Sequence, residues 1–428
     1  MERFEIIGGR PLSGTVRPAG NKNAALPMLA ATLLGDGPTT LSNVPDIGDV
    51  RTMLRLIAGL GADVEHRADG TVTVDPQVVS PRALEPALCA RIRASLLLAG
   101  PLVARFGEAT LPPPGGDTIG RRRNDPHWHA FAALGVDLEE RGVAHHLTAP
   151  GGLIGADILL DEASVMATEN AVMAAVLAKG TTLIRNAASE PHVQDLCQML
   201  VQMGASISGI GSNLLAVEGV DSLTGTEATI PADYMEVGSF IGLGAVTDGD
   251  LRIGPVRHED LRMICAKFAI LGVEVTTDGD EVIVAGHQDL HIHEDFGGKI
   301  PRIHEAPWPG FPADLMSIAL VVATQASGTV LMHQWMFESR LYFTDRLIEM
   351  GARIIVADPH RAVVTGPSQL RGARLQSPDI RAGMALLMAA LCADGRSSIA
   401  NIGQIDRGYE RIDEKLRDLG AHIERVPA

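Results

Sequence analysis

LGADVE at residues 60–65 is the first of six related phrases that divide the chain into units. The other five read LGVDLE, MGASIS, LGVEVT, MGARII and LGAHIE, and they begin at Leu134, Met203, Leu271, Met350 and Leu419. Neighbouring phrases stand about 70 residues apart, and a regular period of this length is typical of a repeated supersecondary unit. The chain of 428 residues is therefore predicted to contain six structurally equivalent units.

Each phrase is predicted to end an amphipathic helix and to open a strand. Four apolar residues precede Leu60 at helical spacing, namely Val50, Met53, Leu54 and Ile57. The glycine of the phrase supplies the left-handed residue that stops a helix, and apolar and polar residues alternate after it. Helix is therefore expected to give way to strand at this glycine in every unit.

A second kind of helix recurs once per unit and is apolar on nearly all sides. Its six copies span residues 23–35, 91–105, 167–179, 235–248, 313–327 and 381–394. A helix without a polar face has to be buried on every side. Three units can share three such helices as a common core, so the sequence predicts an α/β protein with two domains of three units each.

The domain boundary is predicted in the turn-rich stretch 219–233, where Pro231 interrupts the pattern. The first strand, from Phe4 to Gly8, precedes the first buried helix and is expected to complete the last unit of the chain. One domain is therefore predicted to be discontinuous, with residues 1–22 and 232–428. The other domain spans residues 23–231 and carries a loop at 112–125 that is expected to be a mobile lid.

Composition argues against several classes of partner. Lys plus Arg number 36 and Asp plus Glu number 52, which gives a formal net charge of −16, so neither a nucleic acid nor a membrane surface is expected to bind. No signal-peptide pattern and no membrane-spanning apolar run is found. The 4 separated cysteines, without a CxxC pair, indicate buried thiols in a reducing compartment. A cytoplasmic protein without a metal site or an obligate protein partner is predicted.

Residues that break the repeat pattern mark the candidate site. Lys22 and Asn23 open the first buried helix, and an ammonium group beside a helix N-terminus suits a phosphate or a carboxylate. The loop at 112–125 carries Asp117 and a run of arginines from Arg121 to Arg123. Each feature also has an ordinary explanation, a solvated lysine for the first and a surface loop for the second.

More charged residues stand at element junctions towards the end of the chain. Asp314 precedes a buried helix, where a purely structural N-cap role is the alternative to a chemical one. Four others, Arg340, Asp379, Arg381 and Arg407, lie in the stretches FESR, DIRAG and DRGYE. Surface ion pairs would explain each arginine alone. Together, the lysine, the arginines and the two aspartates at 117 and 314 indicate a clamp for a small polyanion, with an acid and a base beside it.

Seven motifs give the chain a resemblance to a known family. No Walker motif, GxGxxG, HExxH, GxSxG or metal-ligand spacing is present, which argues against a nucleotide hydrolase, a dehydrogenase or a zinc enzyme. The sequence instead resembles the enolpyruvyl transferases, and among them the UDP-N-acetylglucosamine 1-carboxyvinyltransferases, from Phe4 to Val426. The motifs, in order, are NKNAALP at 21–27, GGDTIG at 115–120, ATEN at 167–170, FPAD at 311–314, FESR at 337–340, DIRAG at 379–383 and DRGYE at 406–410.

The resemblance implies a fold and a reaction. The implied fold is a two-domain inside-out α/β barrel with six repeats and an active site between the domains. The implied reaction moves the enolpyruvyl group of phosphoenolpyruvate to a hydroxyl of a uridine nucleotide, by addition and then elimination of phosphate. The resemblance implies no metal ion and no organic cofactor.

Residues at matching positions take the roles that the resemblance implies. Those that hold phosphoenolpyruvate are Lys22, Arg122, Arg340, Arg381 and Arg407. Asp314 takes the proton of the acceptor hydroxyl, and Asp117 stands where most members carry a cysteine that protonates the methylene carbon. An acid at this position has to carry a proton, which neighbouring arginines disfavour. The remaining substrate-binding positions are Asn23, Arg93, Arg123, Asp125, Ser164, Met166 and Asp379.

Three departures from the family pattern concern the acceptor. Arg123 stands where the family has a proline, Met166 replaces a glycine that faces a diphosphate, and Tyr234 replaces an arginine. A methionine side chain would crowd a diphosphate, whereas Arg123 is expected to be free to pair a single phosphate. The prediction therefore favours the 3′-hydroxyl of UMP, in a paralogue of nucleoside antibiotic biosynthesis. The alternative is UDP-N-acetylglucosamine in peptidoglycan synthesis, and a remote alternative is a non-catalytic binding copy.

Overall fold

The structure is a computed structural model that describes residues 2–117 and 119–427. Its α-helices are α1 Lys22–Ala31, α2 Gly48–Gly59, α3 Pro86–Cys89, α4 Ala99–Phe106, α5 Asp125–Ala133, α6 Val165–Ala175, α7 Pro191–Gln202, α8 Tyr234–Val246, α9 His258–Ile270, α10 Met316–Gln325, α11 Thr344–Glu349, α12 Ile380–Cys392 and α13 Ile412–Asp418. Short 3-10 helices span Thr32–Leu34, Arg93–Leu98, Ala313–Leu315 and Ile402–Arg407. Within the described residues, no helix is both long enough and apolar enough to cross a membrane.

The strands are short and follow the helices in a regular alternation. They are β1 Glu2–Ile7, β2 Ser13–Val16, β3 Thr39–Ser42, β4 Asp63–His66, β5 Val72–Asp75, β6 Glu108–Leu111, β7 Asp137–Arg141, β8 Ala144–Thr148, β9 Asp157–Leu159, β10 Thr181–Arg185, β11 Ser206–Ser208, β12 Leu214–Glu218, β13 Glu227–Thr229, β14 Asp250–Ile253, β15 Thr276–Asp278, β16 Glu281–Val284, β17 Arg302–His304, β18 Gly328–His333, β19 Arg353–Asp358, β20 Arg361–Gly366, β21 Arg374–Gln376, β22 Arg396–Ala400 and β23 His422–Pro427.

Six sheets are formed by the described strands, one for each predicted unit. Every sheet contains three antiparallel strands, and in five of the sheets a surface helix connects the first two of them along the chain, as α2 connects β3 and β4. In the sheet that contains β1, the surface helix α13 connects β22 and β23. Five sheets gain a parallel fourth strand at one edge, for example β13 beside β3. The prediction of six equivalent units is confirmed.

The glycine of each repeated phrase has the backbone conformation that the sequence predicted. In the six phrases its φ lies between +81° and +112°. In the first phrase Leu60 still donates to Leu56 O, whereas Gly61 N–H turns to Ala58 O at 2.9 Å. Because side chains disfavour this left-handed region, glycine ends each surface helix and directs the chain into the next strand.

The chain divides into two compact units. The first unit comprises residues up to Ala19, a short segment that ends at Arg121, and all residues from Ala232 onward. The second unit comprises Gly20–Asp117 and Arg122–Pro231. In the first unit β1 lies between β22 and β23, so the start of the chain completes the last sheet as predicted from the sequence.

The division differs from the sequence-based domain boundaries at two points. The sequence places the first crossing after Lys22, three residues later than Ala19. Asn21 belongs to the second unit because its N–H donates to Pro231 O at 2.7 Å and its side chain caps α1. The loop at 112–125 also contributes residues 119–121 to the first unit, which the sequence pattern did not predict.

The core of the first unit is formed by α8, α10 and α12, which pack on one another and are buried on all sides. Gly242 allows α8 and α10 to approach closely. A Cβ atom at this glycine would lie 2.8 Å from Cγ2 of Ile318, closer than carbon atoms pack. Phe240 and Met388 are among the fully buried side chains around this contact.

The core of the second unit is formed by α1, α4 and α6, together with the 3-10 helix Arg93–Leu98. The sequence predicted one continuous helix over 91–105, whereas the structure has a 3-10 segment followed by α4. Pro101 lacks an N–H group and cannot continue the α-helical hydrogen bonds from the preceding turn. Asn170 compensates at this junction, since its side chain accepts from Gly100 N–H and donates to Leu96 O, both at 2.9 Å.

Candidate active site

In the first unit, Asp314 is held by two arginines. It lies in the 3-10 helix Ala313–Leu315 ahead of α10, where Oδ1 accepts from Arg340 Nη2 at 2.7 Å and Oδ2 accepts from Arg381 Nε at 2.9 Å. The Asp314 side chain is 24% exposed, whereas those of Arg340 and Arg381 are 8% and 2% exposed. The N-cap residue is Pro312 for the 3-10 helix and Leu315 for α10, and neither makes a side-chain cap hydrogen bond. Asp314 is therefore not an N-cap, and the structural alternative for this residue is wrong.

Asp379 positions Arg381 at the start of α12. Its Oδ1 atom accepts from the backbone N–H groups of Arg381 at 2.8 Å and Ala382 at 2.9 Å. Asp379 is itself buried, and its cap fixes the first turn from which the Arg381 side chain extends. The structure thus gives Asp379 a capping role, and the sequence-based role in binding substrate stays a prediction.

Arg381 provides unfilled hydrogen-bond donors in a buried setting. Its Nη1 and Nη2 atoms are buried and lack a hydrogen-bond partner among the described residues. Its Cζ atom lies 5.2 Å from the centroid of the Tyr409 ring, a cation–π distance. A buried guanidinium with unpaired donors costs free energy unless an anion binds to it. This part of the first unit therefore favours an anionic ligand.

Arg407 also belongs to the first unit. It ends the 3-10 helix Ile402–Arg407, is half-buried, and donates from Nη1 to Gln404 Oε1 at 2.8 Å. Gln404 thus orients this guanidinium group. Across residues 2–117 and 119–427, no group of three or more His, Cys, Asp and Glu side chains is arranged to hold a metal ion.

In the second unit, Lys22 opens α1 beside a buried acid. The Asn21 side chain caps the helix by accepting from Asn23 N–H at 2.8 Å and Ala24 N–H at 3.1 Å. The Lys22 Nζ atom lies 3.4 Å from Asp49 Oδ2 on α2, and both side chains are largely buried. An ammonium group is therefore held at the N-terminus of a helix, the arrangement that the sequence predicted for an anion.

Arg93 anchors the chain where it leaves the loop. Its Nη2 atom donates to the carbonyl oxygens of Arg122 at 3.3 Å and Arg123 at 2.9 Å, and to Asn124 Oδ1 at 2.7 Å. Burial lowers the pKa of Arg93 to about 10. The side chain thus fixes the backbone of residues 122–124, a role that the sequence did not indicate, and its role in binding substrate stays a prediction.

Asp117 follows two glycines that bring the loop close to Arg93. Gly116 has a φ of +113°, and a Cβ atom there would lie 3.0 Å from Arg93 Cβ and 3.6 Å from Arg122 Nη1. Asp117 is half-buried, and the chain places it next to this contact. Asp117, Arg93 and Arg122 therefore lie in one neighbourhood of the second unit. Thr118, which belongs to the same motif, lies outside the described residues.

Arg123 is engaged by three acids rather than free. Its Nη1 atom lies 2.8 Å from Asp161 Oδ2 and 3.7 Å from Glu162 Oε2, and its Nε atom lies 3.3 Å from Asp125 Oδ2. The hydrogen bond to Asp161 raises the pKa of Arg123 above its usual range. The expectation that Arg123 is free to pair a nucleotide phosphate is wrong in this structure, because its charge is already matched locally.

Ser164 and Met166 lie at the start of α6. The Ser164 side chain caps the helix by accepting from Ala167 N–H at 3.4 Å. Met166 is half-buried and packs against the apolar core of the second unit. Because this thioether side chain has apolar neighbours of its own, the structure gives no support to the expectation that it crowds a diphosphate.

Several residues of these two clusters were missed from the sequence. Asp49, Tyr409 and Gln404 contact predicted site residues. Asp49 and Tyr409 lie on different elements from their partners, whereas Gln404 shares the 3-10 helix Ile402–Arg407 with Arg407. For Asp49 the sequence contains only a weak signal, an acid in the first turn of an amphipathic helix. Its burial is seen only in the structure. The contact of Tyr409 depends on packing between elements, which a single sequence does not specify. Gln404 lies three residues before Arg407 on one 3-10 helix, a spacing that brings two side chains together.

Comparison with known proteins gives the family. The family's sequence model, described as EPSP synthase (3-phosphoshikimate 1-carboxyvinyltransferase), matches residues 6–416, which is nearly the whole chain. The chain belongs to this enolpyruvyl transferase family. It is therefore a transferase enzyme, as its motifs predicted.

Similar proteins cover the chain from end to end. A UDP-N-acetylglucosamine 1-carboxyvinyltransferase of Bradyrhizobium diazoefficiens is 54% identical over 425 residues, which is 99% of this chain and 98% of the relative. A protein of the same name from Treponema denticola is 52% identical over 428 residues, with 99% of each chain covered. Family membership and these relatives support enolpyruvyl transfer from phosphoenolpyruvate to a uridine nucleotide.

Solved structures agree with the fold class. The enolpyruvyl transferase NikO from Streptomyces tendae matches with a TM-score of 0.89 and 27% identity, over 100% of this chain and 99% of that one. The EPSP synthase of Acinetobacter baumannii matches with a TM-score of 0.77 over both whole chains, and its 19% identity carries the fold alone. The predicted α/β enolpyruvyl transferase fold is confirmed.

Proposed function

We propose that this enzyme transfers the enolpyruvyl group of phosphoenolpyruvate to a hydroxyl group of UDP-N-acetylglucosamine and releases phosphate. The observation that carries the reaction is the carboxylate of Asp314, held in place by Arg340 and Arg381 while a quarter of its surface stays exposed. The acceptor rests on the identity of 54% with a UDP-N-acetylglucosamine 1-carboxyvinyltransferase over almost the full chain. A place in peptidoglycan synthesis follows from that acceptor.

The addition step needs a base and an acid. Asp314 accepts the proton of the acceptor hydroxyl while the oxygen forms a bond to C2 of phosphoenolpyruvate. Asp117 gives a proton to C3, so the double bond becomes a single bond and a tetrahedral adduct forms. The two aspartates thus move one proton each in opposite directions, and no net charge builds up at the reacting carbons.

The elimination step reverses the proton transfer at C3. The Asp117 carboxylate takes a proton from C3, the double bond re-forms, and the bond between C2 and the phosphate oxygen breaks. Phosphate leaves with the electron pair of that bond and takes up the proton that Asp314 accepted, so both aspartates return to their starting states. The cationic groups that the family resemblance assigns to phosphoenolpyruvate, among them Arg340, Arg381 and Arg407 of the first unit, stabilise the negative charge of the leaving group.

The choice of acceptor rests on contacts as well as on relatives. The UMP hypothesis depended on a free Arg123 and on a Met166 that fills the space of a diphosphate. Arg123 is paired with Asp161, and Met166 packs on the core of its own unit. Tyr234, the third departure, is buried in the first unit with its ring centroid 6.3 Å from that of Trp308. UMP as acceptor is therefore not confirmed, and UDP-N-acetylglucosamine has the stronger support.

Phosphate release with each acceptor tests the proposed function. We expect kcat/KM for UDP-N-acetylglucosamine to exceed that for UMP by at least ~10-fold, because each missing pocket contact costs about 1 to 3 kcal/mol of transition-state binding. Met166→Gly serves as a second variant. Its ratio of the two kcat/KM values should stay within about threefold of the wild-type ratio, since core packing rather than ligand contact changes.

Two results would contradict the proposal in different ways. An equal or higher kcat/KM for UMP would restore the paralogue hypothesis. Absence of phosphate release with either nucleotide would instead favour the non-catalytic alternative, provided that the protein is folded by circular dichroism.

The cysteines give a further prediction about inhibition. Burial raises the pKa of the Cys89 thiol to about 11 and those of Cys197 and Cys392 to about 12, and it also raises the pKa of Cys265. A thiol is a poor nucleophile until it ionises, and a carboxylate at position 117 reacts slowly with epoxides. Thiol-directed epoxides are therefore expected not to inactivate the wild type.

The matched variant for this prediction is Asp117→Cys. It places a half-buried thiol beside Arg93 and Arg122, whose positive charges favour the thiolate. Time-dependent inactivation by fosfomycin, followed by mass spectrometry of the labelled peptide, should be seen in this variant alone. Covalent labelling of wild-type enzyme at one of its four cysteines would count against the burial argument.

A further inference from the structure

Glu305 is a fully buried acid that anchors the segment Gln334–Arg340, which contains the FESR motif. It directly follows β17 and has 0% relative exposure. Its Oε1 atom accepts from Met336 N–H at 2.5 Å, and its backbone oxygen accepts from Trp335 Nε1 at 2.6 Å. Burying a carboxyl group costs free energy, so a role in addition to packing is expected for this acid.

The carboxyl group of Glu305 and the guanidinium group of Arg340 each have a buried atom whose hydrogen-bonding capacity is not used by the described residues. Among the described residues, neither Glu305 Oε2 nor Arg340 Nε has a hydrogen-bond partner, although both atoms are buried. The charge of Arg340 is close enough to act on the ionisation of Glu305. Arg340 Nη2 also donates to Asp314 Oδ1 at 2.7 Å, so the same guanidinium group interacts electrostatically with Glu305 and by a hydrogen bond with the proposed base.

The same segment binds residues 119–121 of the glycine-rich loop. Glu338 Oε2 accepts from Arg121 N–H at 3.3 Å, and Ser339 N–H donates to Ile119 O at 3.2 Å. The fit is close at Gly120, where a Cβ atom would lie 2.3 Å from Glu338 Oε2. The position of the segment Gln334–Arg340 therefore determines both the contact with Asp314 and the contact with the loop.

We propose that Glu305 is a positioning residue for the transfer reaction, whose charge sets the contact of Arg340 with Asp314 and the placement of the segment Gln334–Arg340 beneath residues 119–121. An ionised Glu305 holds Met336 N–H by a charge-assisted bond, which is about twice as strong as a neutral one. It also attracts the positive charge of Arg340, which pairs with the carboxylate of Asp314. A protonated Glu305 loses both effects.

The titration of Glu305 falls in a useful range of pH. Burial raises the pKa of this carboxyl group from its ordinary 4.5 to about 7. The charged groups that face it are Arg340 and His360, which both act to lower the pKa but are outweighed. His360 Nδ1 lies 2.8 Å from Gln334 O, at the other end of the segment. Small changes of pH around neutrality therefore change the fraction of ionised Glu305.

The sign of the effect on folding follows from the raised pKa. Between pH 4.5 and about 7, the unfolded chain loses this proton while the folded chain keeps it. The folded wild type is therefore destabilised as the pH rises through this window. Glu305→Gln, which keeps an acceptor for Met336 N–H but does not ionise, escapes this loss.

Two measurements on Glu305→Gln test the proposal. Glu349→Gln is the control variant, because Glu349 pairs with Arg346 on an exposed face of the same unit. The thermal midpoint of Glu305→Gln minus that of the wild type is expected to rise between about pH 4.5 and 7. The kcat of the variant relative to wild type should fall from about 1 near pH 5.5 to about one tenth near pH 8.5. Groups that titrate equally in both proteins cancel in this ratio.

The outcomes separate this proposal from the proposed function on which its kinetic part rests. A difference in thermal midpoint that does not change with pH overturns the proposal, whatever the activity. A midpoint difference that rises while the kcat ratio stays constant over pH overturns the positioning role. If the wild type uses neither nucleotide, the proposed function fails, and the thermal measurement still decides whether Glu305 ionises as described.

Discussion

Asp314→Asn is expected to reduce kcat at least ~10²-fold while the folded variant still binds its substrates. Asparagine has the same shape as aspartate but does not accept the proton of the acceptor hydroxyl. The groups assigned to phosphoenolpyruvate remain, and Arg340 and Arg381 lose the carboxylate that now accepts their hydrogen bonds. Their charges are then available to the anionic substrate, so binding does not depend on Asp314.

Stability has to be separated from catalysis in this variant. Removing the carboxylate charge from two buried arginines is expected to cost about 1 to 3 kcal/mol of unfolding free energy. Asp358→Asn is a suitable control, because Asp358 pairs with Arg361 in the same unit but outside the cluster. Its kcat should equal that of the wild type.

The measurements are steady-state phosphate release and thermal unfolding with and without both substrates. Substrates should raise the thermal midpoint of Asp314→Asn, because a ligand that binds only the folded state stabilises it. Retention of more than about a tenth of the wild-type kcat would remove Asp314 as the general base. Loss of both turnover and substrate-induced stabilisation would point to a binding role instead.

The fold was accessible from the sequence because its signals are local and repeated. The glycine in LGADVE and in the five similar phrases predicts a left-handed residue at the end of a helix, and this conformation is found at all six positions. The buried helices have no polar face, so their environment follows from composition alone. Pro101 marks the break between Arg93–Leu98 and α4 in the sequence, but the residue that stabilises the break, Asn170, is distant in sequence and fills the unmet backbone bonds.

The candidate site was accessible to a smaller extent. Motif resemblance named Asp314, Arg340 and Arg381, and the structure brings these three together within hydrogen-bonding distance. The inference about the acceptor went wrong at Arg123, whose three acidic neighbours include Asp161 from a later part of the chain. A basic residue in a loop carries no information about whether an acid elsewhere already neutralises it.

The environment of Glu305 was also not predictable from the sequence. In sequence it is one acid among many, beside a strand end and a proline. Only packing reveals that it is fully buried and that the charge of Arg340 acts on its carboxyl group. Perturbed ionisation arises from burial and from neighbours on other elements, and neither is encoded in a local pattern.

Asp117→Asn is expected to reduce kcat at least ~10²-fold, whereas Asp117→Cys should stay within about tenfold of the wild type. Asparagine fills the same space beside Arg93 and Arg122 but has no proton to give to C3 of phosphoenolpyruvate. A thiol does have one. Asp137→Asn, at an exposed strand position of the same unit, is the control and should leave kcat unchanged.

The pH dependence of the two active proteins makes the test specific to proton donation. A group that acts as an acid has to be protonated when the substrates react, so kcat falls as the pH rises past its ionisation. A thiol gives up its proton at higher pH than a carboxyl group does, so the alkaline decline of kcat should move to higher pH in Asp117→Cys than in the wild type. Identical pH profiles for the two proteins would mean that residue 117 does not deliver the proton, and that the loss in Asp117→Asn arises from a changed loop conformation.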